Sequence, residues 1–160
     1  FRIQKMNSKI LPTTKYFTTV KNIQAGAIFS RDWAPLHSNQ DWAINKGKLP
    51  NIIMNNYTLN GLVIKYVTDI YNESTRIGKV KFKINKPITP DKNLEFHGSI
   101  IKENKVSNEI SILKIKVEVK VSDETYASAN VVAGISLNNT KSNSPWKIDT
   151  DTWISYIKNS

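Results

Sequence analysis

Leu59-Asn60-Gly61-Leu62-Val63-Ile64-Lys65-Tyr66-Val67-Thr68-Asp69-Ile70 is the stretch whose periodicity sets the rest of the chain in place. Leu59, Leu62, Val63, Tyr66, Val67 and Ile70 recur at i, i+3, i+4, i+7, i+8 and i+11, an apolar stripe at the helical period. Ile64 widens the stripe and leaves little polar surface. A helix this apolar needs cover, so the spacing predicts a largely buried helix over about Asn56 to Tyr71.

Working outward, the period changes to two at Arg76. Ile77, Val80, Phe82 and Ile84 sit among lysines, and Leu94, Phe96, Gly98 and Ile100 follow the turn-like Pro90-Asp91-Lys92-Asn93. Leu113, Ile115, Val117, Val119 and Val121 alternate with polar residues, and a last strand runs from about Tyr126 to Leu137. Such alternation predicts consecutive antiparallel strands, each half-buried on one face. Upstream, Lys15 to Val20 reads as a short strand. Asn22 to Ser30 reads as a weak helical turn with Ile23, Ala27 and Ile28 on one side. Ser38-Asn39-Gln40-Asp41 resembles a helix start with Ser38 as N-cap, closed by Gly47 and Pro50. An early strand, one buried helix and several long strands make an α+β layout, which a curved sheet wrapped round the helix would satisfy. The expected organisation is one domain over residues 1–137, its first residues (about 14) a candidate flexible arm. A polar linker and an aromatic tail, Trp146 to Ile157, follow over residues 138–160 and are expected to dock on the body.

Composition narrows the functional classes. At 160 residues with 39% hydrophobic and 22% charged residues, the chain has ordinary globular statistics. No apolar run approaches the roughly 18 residues of a membrane span. Without cysteine there are no disulfides, thiolate metal sites or Cys nucleophile, which fits a cytoplasmic or organelle-matrix protein. Two histidines, His37 and His97, make a His-rich metal site improbable, and no metal or cofactor is called for. The first thirty residues carry Arg2, Lys5, Lys9, Lys15 and Lys21 and no acid, without the apolar core or cleavage site of a secretory signal. Phe1 is not an initiator, and Met6 is a candidate native start. The net charge of +10 favours an anionic partner, either nucleic acid or an anionic small molecule. Lys79, Lys81, Lys83, Lys114, Lys116 and Lys120 alternate with apolar residues, as on the solvated face of a sheet. No nucleic-acid-binding motif accompanies them, so nucleic acid is not expected as a partner.

The residues suited to chemistry are Asp32 and His37, five positions apart on a loop that Pro35 keeps irregular. An imidazole can take a proton near neutrality, and a carboxylate can orient it or share a water with it. Taken alone, an Asp–His pair at this spacing is more often structural than catalytic, and His37 could equally cap the next helix.

The neighbours of the pair shift that balance. Phe29-Ser30-Arg31-Asp32-Trp33-Ala34-Pro35-Leu36-His37, with Ala43 six residues later, resembles the hydratase signature of MaoC-like proteins. That signature runs aromatic, any residue, Ser, Gly, Asp, any residue, Asn, Pro, an aliphatic residue and His. Arg31 stands where it has glycine and Ala34 where it has asparagine. Asn51 to Val63, running on to Asp69, looks like the central-helix entry of a MaoC-like subgroup that includes subunits acting on bulky acyl-CoA substrates such as steroid side chains. Residues 84–94, with Pro87 and Pro90-Asp91, resemble that subgroup's next strand and turn. The resemblance covers roughly Thr18 to Leu137.

The resemblance implies a hot-dog fold, a curved antiparallel sheet around a central helix, and a hydro-lyase. Asp32 and His37 would hold a water that adds to the β-carbon of a trans-2-enoyl thioester, usually giving the (R)-3-hydroxy product. The substrate would be an acyl-CoA or an acyl-carrier thioester. In family members a His–Gly pair begins the central helix and a backbone N–H there receives the thioester oxygen. Met54-Asn55 stands in that place, which assigns the contact to the backbone N–H of Asn55. Met54 and Tyr57 are candidate substrate-lining residues. Alternatives are a hot-dog thioesterase and a non-catalytic or substrate-binding hot-dog subunit of a heteromer. Trp33 and Trp42 are expected to pack the loop, and His97 to be a surface or lining residue. A single unit leaves sheet edges open, and such hydratases work as pairs of units. A dimer is therefore expected, a homodimer by default with a heteromer open.

Overall fold

The computed structural model describes residues 10–138 and 143–159. The expected start at Met6, most of the candidate flexible arm and part of the expected linker lie outside them.

The buried helix is α2, Asn56–Tyr71. Asn55 caps it, and Leu59, Val63, Tyr66 and Val67 are its buried residues. At roughly 1.5–3 kcal/mol per large apolar side chain, that stripe alone holds the helix to the body. The sheet lies against it. Its strands are β1 (Thr14–Phe17), β2 (Arg76–Ile84), β3 (Asn93–Lys105), β4 (Ile110–Val121) and β5 (Glu124–Ser136), in the order β1-β3-β4-β5-β2. The inner face places Leu94 and Phe96 of β3, Leu113, Ile115, Val117 and Val119 of β4, and Ala127, Ala129 and Val131 of β5 in one core with the helix stripe. All strand pairings are antiparallel. No helix is long and apolar enough to cross a membrane among the described residues.

Strands β3, β4 and β5 follow one another as expected, but β2 does not join β3. It pairs with β5 at the far edge, setting Ile77 opposite Ala133, Phe82 opposite Ala129 and Ile84 opposite Ala127. Large side chains on the edge strand thus face small ones, whereas beside β3 they would meet Leu94 and Phe96. Alternation tells which face is buried but not which strand is next. The chain then crosses the end of the sheet through residues 85–92. Buried Thr18 holds this crossing, its hydroxyl donating to the Thr89 carbonyl at 2.8 Å and accepting from the Lys92 amide at 2.9 Å.

Before α2, the expected helical turn is a full helix, α1, Val20–Phe29. Thr19 and Asn22 cap it reciprocally, Thr19 Oγ1 accepting from the Asn22 amide and Asn22 Oδ1 from the Thr19 amide. Ile23 and Ala27 are buried as expected, but Ile28 is exposed. Asn39, rather than Ser38, begins the next segment, its Oδ1 accepting from the Trp42 amide at 2.9 Å. That segment is a π-helical turn over Trp42–Lys46.

The tail forms α3, Thr150–Lys158, on the outer face of the sheet. Trp153 is buried with Ile112 and Val132, and the Arg76 guanidinium lies 4.2 Å from its ring centroid.

Candidate active site

The site lies where α1 ends and α2 begins. The helices cross closely, since a Cβ on Gly26 would come within 2.0 Å of Thr58 Oγ1. Helix α1 stops at Ser30, whose hydroxyl donates to the Gly26 carbonyl at 2.8 Å. Arg31 then takes φ 56° and reverses the chain, so that the Asp32 amide returns to the Ala27 carbonyl at 2.9 Å. A positive φ favours glycine, which explains why the signature carries glycine at this position. The Arg31 side chain is exposed. Pro35–His37 form one 3₁₀ turn. Its Leu36 carbonyl accepts from the Ile53 amide at 3.0 Å, fastening the loop to the entry of α2. Ala34, where the signature has asparagine, offers no side-chain hydrogen bond; its amide lies 3.4 Å from Asp32 Oδ1 and its carbonyl accepts from the His37 amide at 3.0 Å.

This framework brings Asp32 and His37 together, Oδ2 to Nε2 at 3.4 Å, with side chains 24% and 12% exposed. The other ring nitrogen fixes the tautomer. His37 Nδ1 lies 2.7 Å from the Ile53 carbonyl oxygen, which can only accept. The proton of a neutral imidazole is therefore on Nδ1, and Nε2 presents a lone pair. Nε2 and the Asp32 carboxylate are then both acceptors, too close to be at ease without a donor between them. A water donating one O–H to each would satisfy both, a geometry in which an imidazole can act as a base.

Asn55 completes the site through its side chain. It is 1% exposed, with an extended backbone at φ −79° and ψ 163°. Its Oδ1 accepts from the Thr58 amide at 2.9 Å and from the Thr58 hydroxyl at 2.6 Å. Its Nδ2 donates to Ser30 Oγ at 2.7 Å and to Asp32 Oδ2 at 3.2 Å. One buried amide thus caps the helix, grips the end of α1 and orients the carboxylate. The resemblance of the loop and helix entry points to a backbone role alone for Asn55. The signal for the rest was asparagine immediately before a helical stripe, an N-cap pattern. The Asn55 and Asn56 amides have no acceptor among the described residues, so this helix end offers N–H groups beside the pair.

A cavity of about 230 Å³ adjoins His37, lined by Met54, Asn56, Leu59, Ile84 and Ile88 among others. Met54, a candidate substrate-lining residue, borders this cavity. Tyr57 is 67% exposed and is not part of this lining. Trp33, expected to pack the loop, is 71% exposed, and Trp42 is partly exposed. His97 sits apart on β3, 3.3 Å from Thr13 Oγ1 and 3.3 Å from Glu95 Oε2.

No protein-family model and no curated protein matches the chain. Solved structures do. The ChsH1-ChsH2 complex from Mycobacterium tuberculosis contains a chain 24% identical, with a TM-score of 0.69 over 80% of this chain and 96% of that one. A MaoC-like dehydratase from Rhodospirillum rubrum is 10% identical, with a TM-score of 0.67 over 81% and 91%. An (R)-hydratase from A. caviae involved in PHA biosynthesis is 11% identical, with a TM-score of 0.67 over 82% and 98%. The fold is the hot-dog fold, which the Rhodospirillum dehydratase and the A. caviae hydratase share.

Proposed function

We propose that the chain is a hydro-lyase acting on an enoyl or 3-hydroxyacyl thioester, carried by CoA or by an acyl-carrier protein. The observation that carries this reading is the commitment of His37 Nδ1 to the Ile53 carbonyl, which leaves Nε2 and Asp32 as paired acceptors for one water. In hydration, Nε2 takes a proton from that water while its oxygen bonds to the β-carbon. The electron pair of the double bond moves toward the thioester, giving an enolate, and the α-carbon then takes the proton held on Nε2, which restores the neutral ring. Dehydration runs the same steps backward. The enolate oxygen is received by the Asn55 amide at the positive end of α2, the kind of fixed dipole that stabilises developing charge. Met54, Leu59 and Ile88 give the acyl chain an apolar wall. In this reading two hot-dog units pair, in a reducing compartment such as cytoplasm or organelle matrix.

Purified protein assayed on crotonyl-CoA and on longer or bulkier enoyl-CoAs, following loss of the enoyl absorbance, tests the reading. Turnover should appear on at least one, and Asp32→Asn and His37→Ala should each lower kcat by about 10²–10⁴-fold while folding persists. Wild-type-like turnover in either variant would remove the pair from the mechanism. Binding without turnover by the wild type would favour a substrate-binding subunit.

A further inference from the structure

The cavity beside His37 has two ends, and the backbone fixes their order. His37 Nδ1 is held by the Ile53 carbonyl, and the next amide, that of Met54, donates to the Ile88 carbonyl at 2.8 Å. His37, Met54 and Ile88 therefore share one end. From Ile88 the lining runs back along the crossing segment, through Pro87, Lys86 and Asn85, to Ile84, the last residue of β2. Four residues of chain span at most about 14 Å. Ile84 and Asn85 form the end remote from the Asp32–His37 pair.

Between these ends the walls are mostly apolar, and two asparagines interrupt them. Asn56, on the first turn of α2, makes no side-chain hydrogen bond among the described residues. Asn85 donates from Nδ2 to the Thr125 carbonyl at a long 3.4 Å, and its Oδ1 has no donor among the described residues. Lys86 is already committed, its ammonium paired with Glu124. One turn beyond Asn56, on the same side of α2, Asn60 Oδ1 is buried with no donor among the described residues. A buried acceptor in that state is uncommon and calls for a donor nearby.

These amides discriminate between acyl chains by what they lose. A plain hydrocarbon filling the cavity takes water from Asn56 and Asn85 and gives nothing back, which leaves polar groups unsatisfied. A hydroxyl or carbonyl on the chain beyond its β-carbon replaces that water. An amide side chain both donates and accepts, so it serves either group. A carboxylate on the chain would instead meet Glu124 and a lysine that is already paired.

We infer that the cavity selects an acyl group bearing a neutral oxygen substituent, a hydroxyl or a carbonyl, held by Asn56 and Asn85. Asn56 stands two residues from Met54 and takes the position nearer His37, and Asn85 takes the farther one. This rests on the reading of the ligand as an acyl thioester and specifies its acyl part.

Saturated acyl-CoAs have no double bond to hydrate, so affinity can be read apart from turnover. Titration calorimetry compares octanoyl-CoA with the same chain bearing a hydroxyl or a keto group on a middle or penultimate carbon. Wild type should bind at least one oxygenated chain at least about ten-fold more tightly than the plain one. Asn56→Leu and Asn85→Leu, checked for folding by circular dichroism, should each lower that ratio at least about three-fold, because the plain chain gains an apolar wall and the oxygen loses its partner. Damage to the fold alone would weaken all chains alike and leave the ratio unmoved. Equal affinity of wild type for plain and oxygenated chains would overturn the inference. So would a preference that survives both substitutions, or no binding of any chain. A preference found without turnover of any enoyl-CoA would uphold the inference and sink the hydro-lyase reading instead.

Discussion

The three-strand meander β3-β4-β5 and the loop from Phe29 to Asn55 are held by different forces. In the meander, Leu113, Ile115, Val117 and Val119 point to one core, each 0% exposed, and no single contact fixes the geometry. The loop has few buried apolar residues of its own, and its shape rests on named polar bonds: Ser30 to Gly26, Asp32 to Ala27, His37 to Ile53, and Asn55 to Ser30 and Asp32. Burial is non-directional and tolerant of detail, whereas a hydrogen-bonded site tolerates little displacement. Stability is therefore concentrated in one region and chemistry in the other, and substitutions should separate the two.

The largest stability effect belongs to the meander. Leu113→Ala leaves a cavity under α2 and should cost about 2–5 kcal/mol in denaturant unfolding, while activity per folded molecule changes little. Next is the point where the regions meet. Gly26→Ala drives a methyl group into Thr58 and should cost about 1–3 kcal/mol. It should also depress kcat, because it separates the helix ends that bring Asp32 to Asn55. Asn55→Ser sharpens the contrast further. Serine is as good an N-cap as asparagine, so the helix start is kept, but the donor to Ser30 and Asp32 is lost: stability should fall by about 1–3 kcal/mol and kcat at least about ten-fold. Smallest is Gly61→Ala on the exposed side of α2, where nothing lies within 4 Å of an added Cβ. It should raise stability by about 0.5–1 kcal/mol with unchanged turnover.

The same division explains what could be read from sequence. Periodicity gave α2 its span and each strand its buried face, because both follow from one-dimensional patterns of burial. It did not give the place of β2 at the edge beside β5, which depends on large side chains opposite Ala127, Ala129 and Ala133. Asp32 and His37 were legible only through the resemblance of the surrounding loop, since the spacing of one acid and one histidine carries little information. The side-chain role of Asn55 was hidden because its partners, Ser30 and Asp32, lie 25 and 23 residues away. Helix α1 was underestimated because its buried face is narrow, Ile23 and Ala27 alone, and its cap is a polar pair rather than an apolar pattern.

The central claim is that the His37 ring is protonated on Nδ1 and leaves Nε2 free to accept from water. Nitrogen-15 NMR of the labelled resting protein reads this directly. In the neutral ring, the His37 Nδ1 signal should carry a proton and the Nε2 signal should be that of an unprotonated ring nitrogen. Asp32→Asn should leave that assignment unchanged, because the Ile53 carbonyl sets it. A proton found on Nε2, bonded directly to Asp32, would leave no base facing the water and would contradict the account.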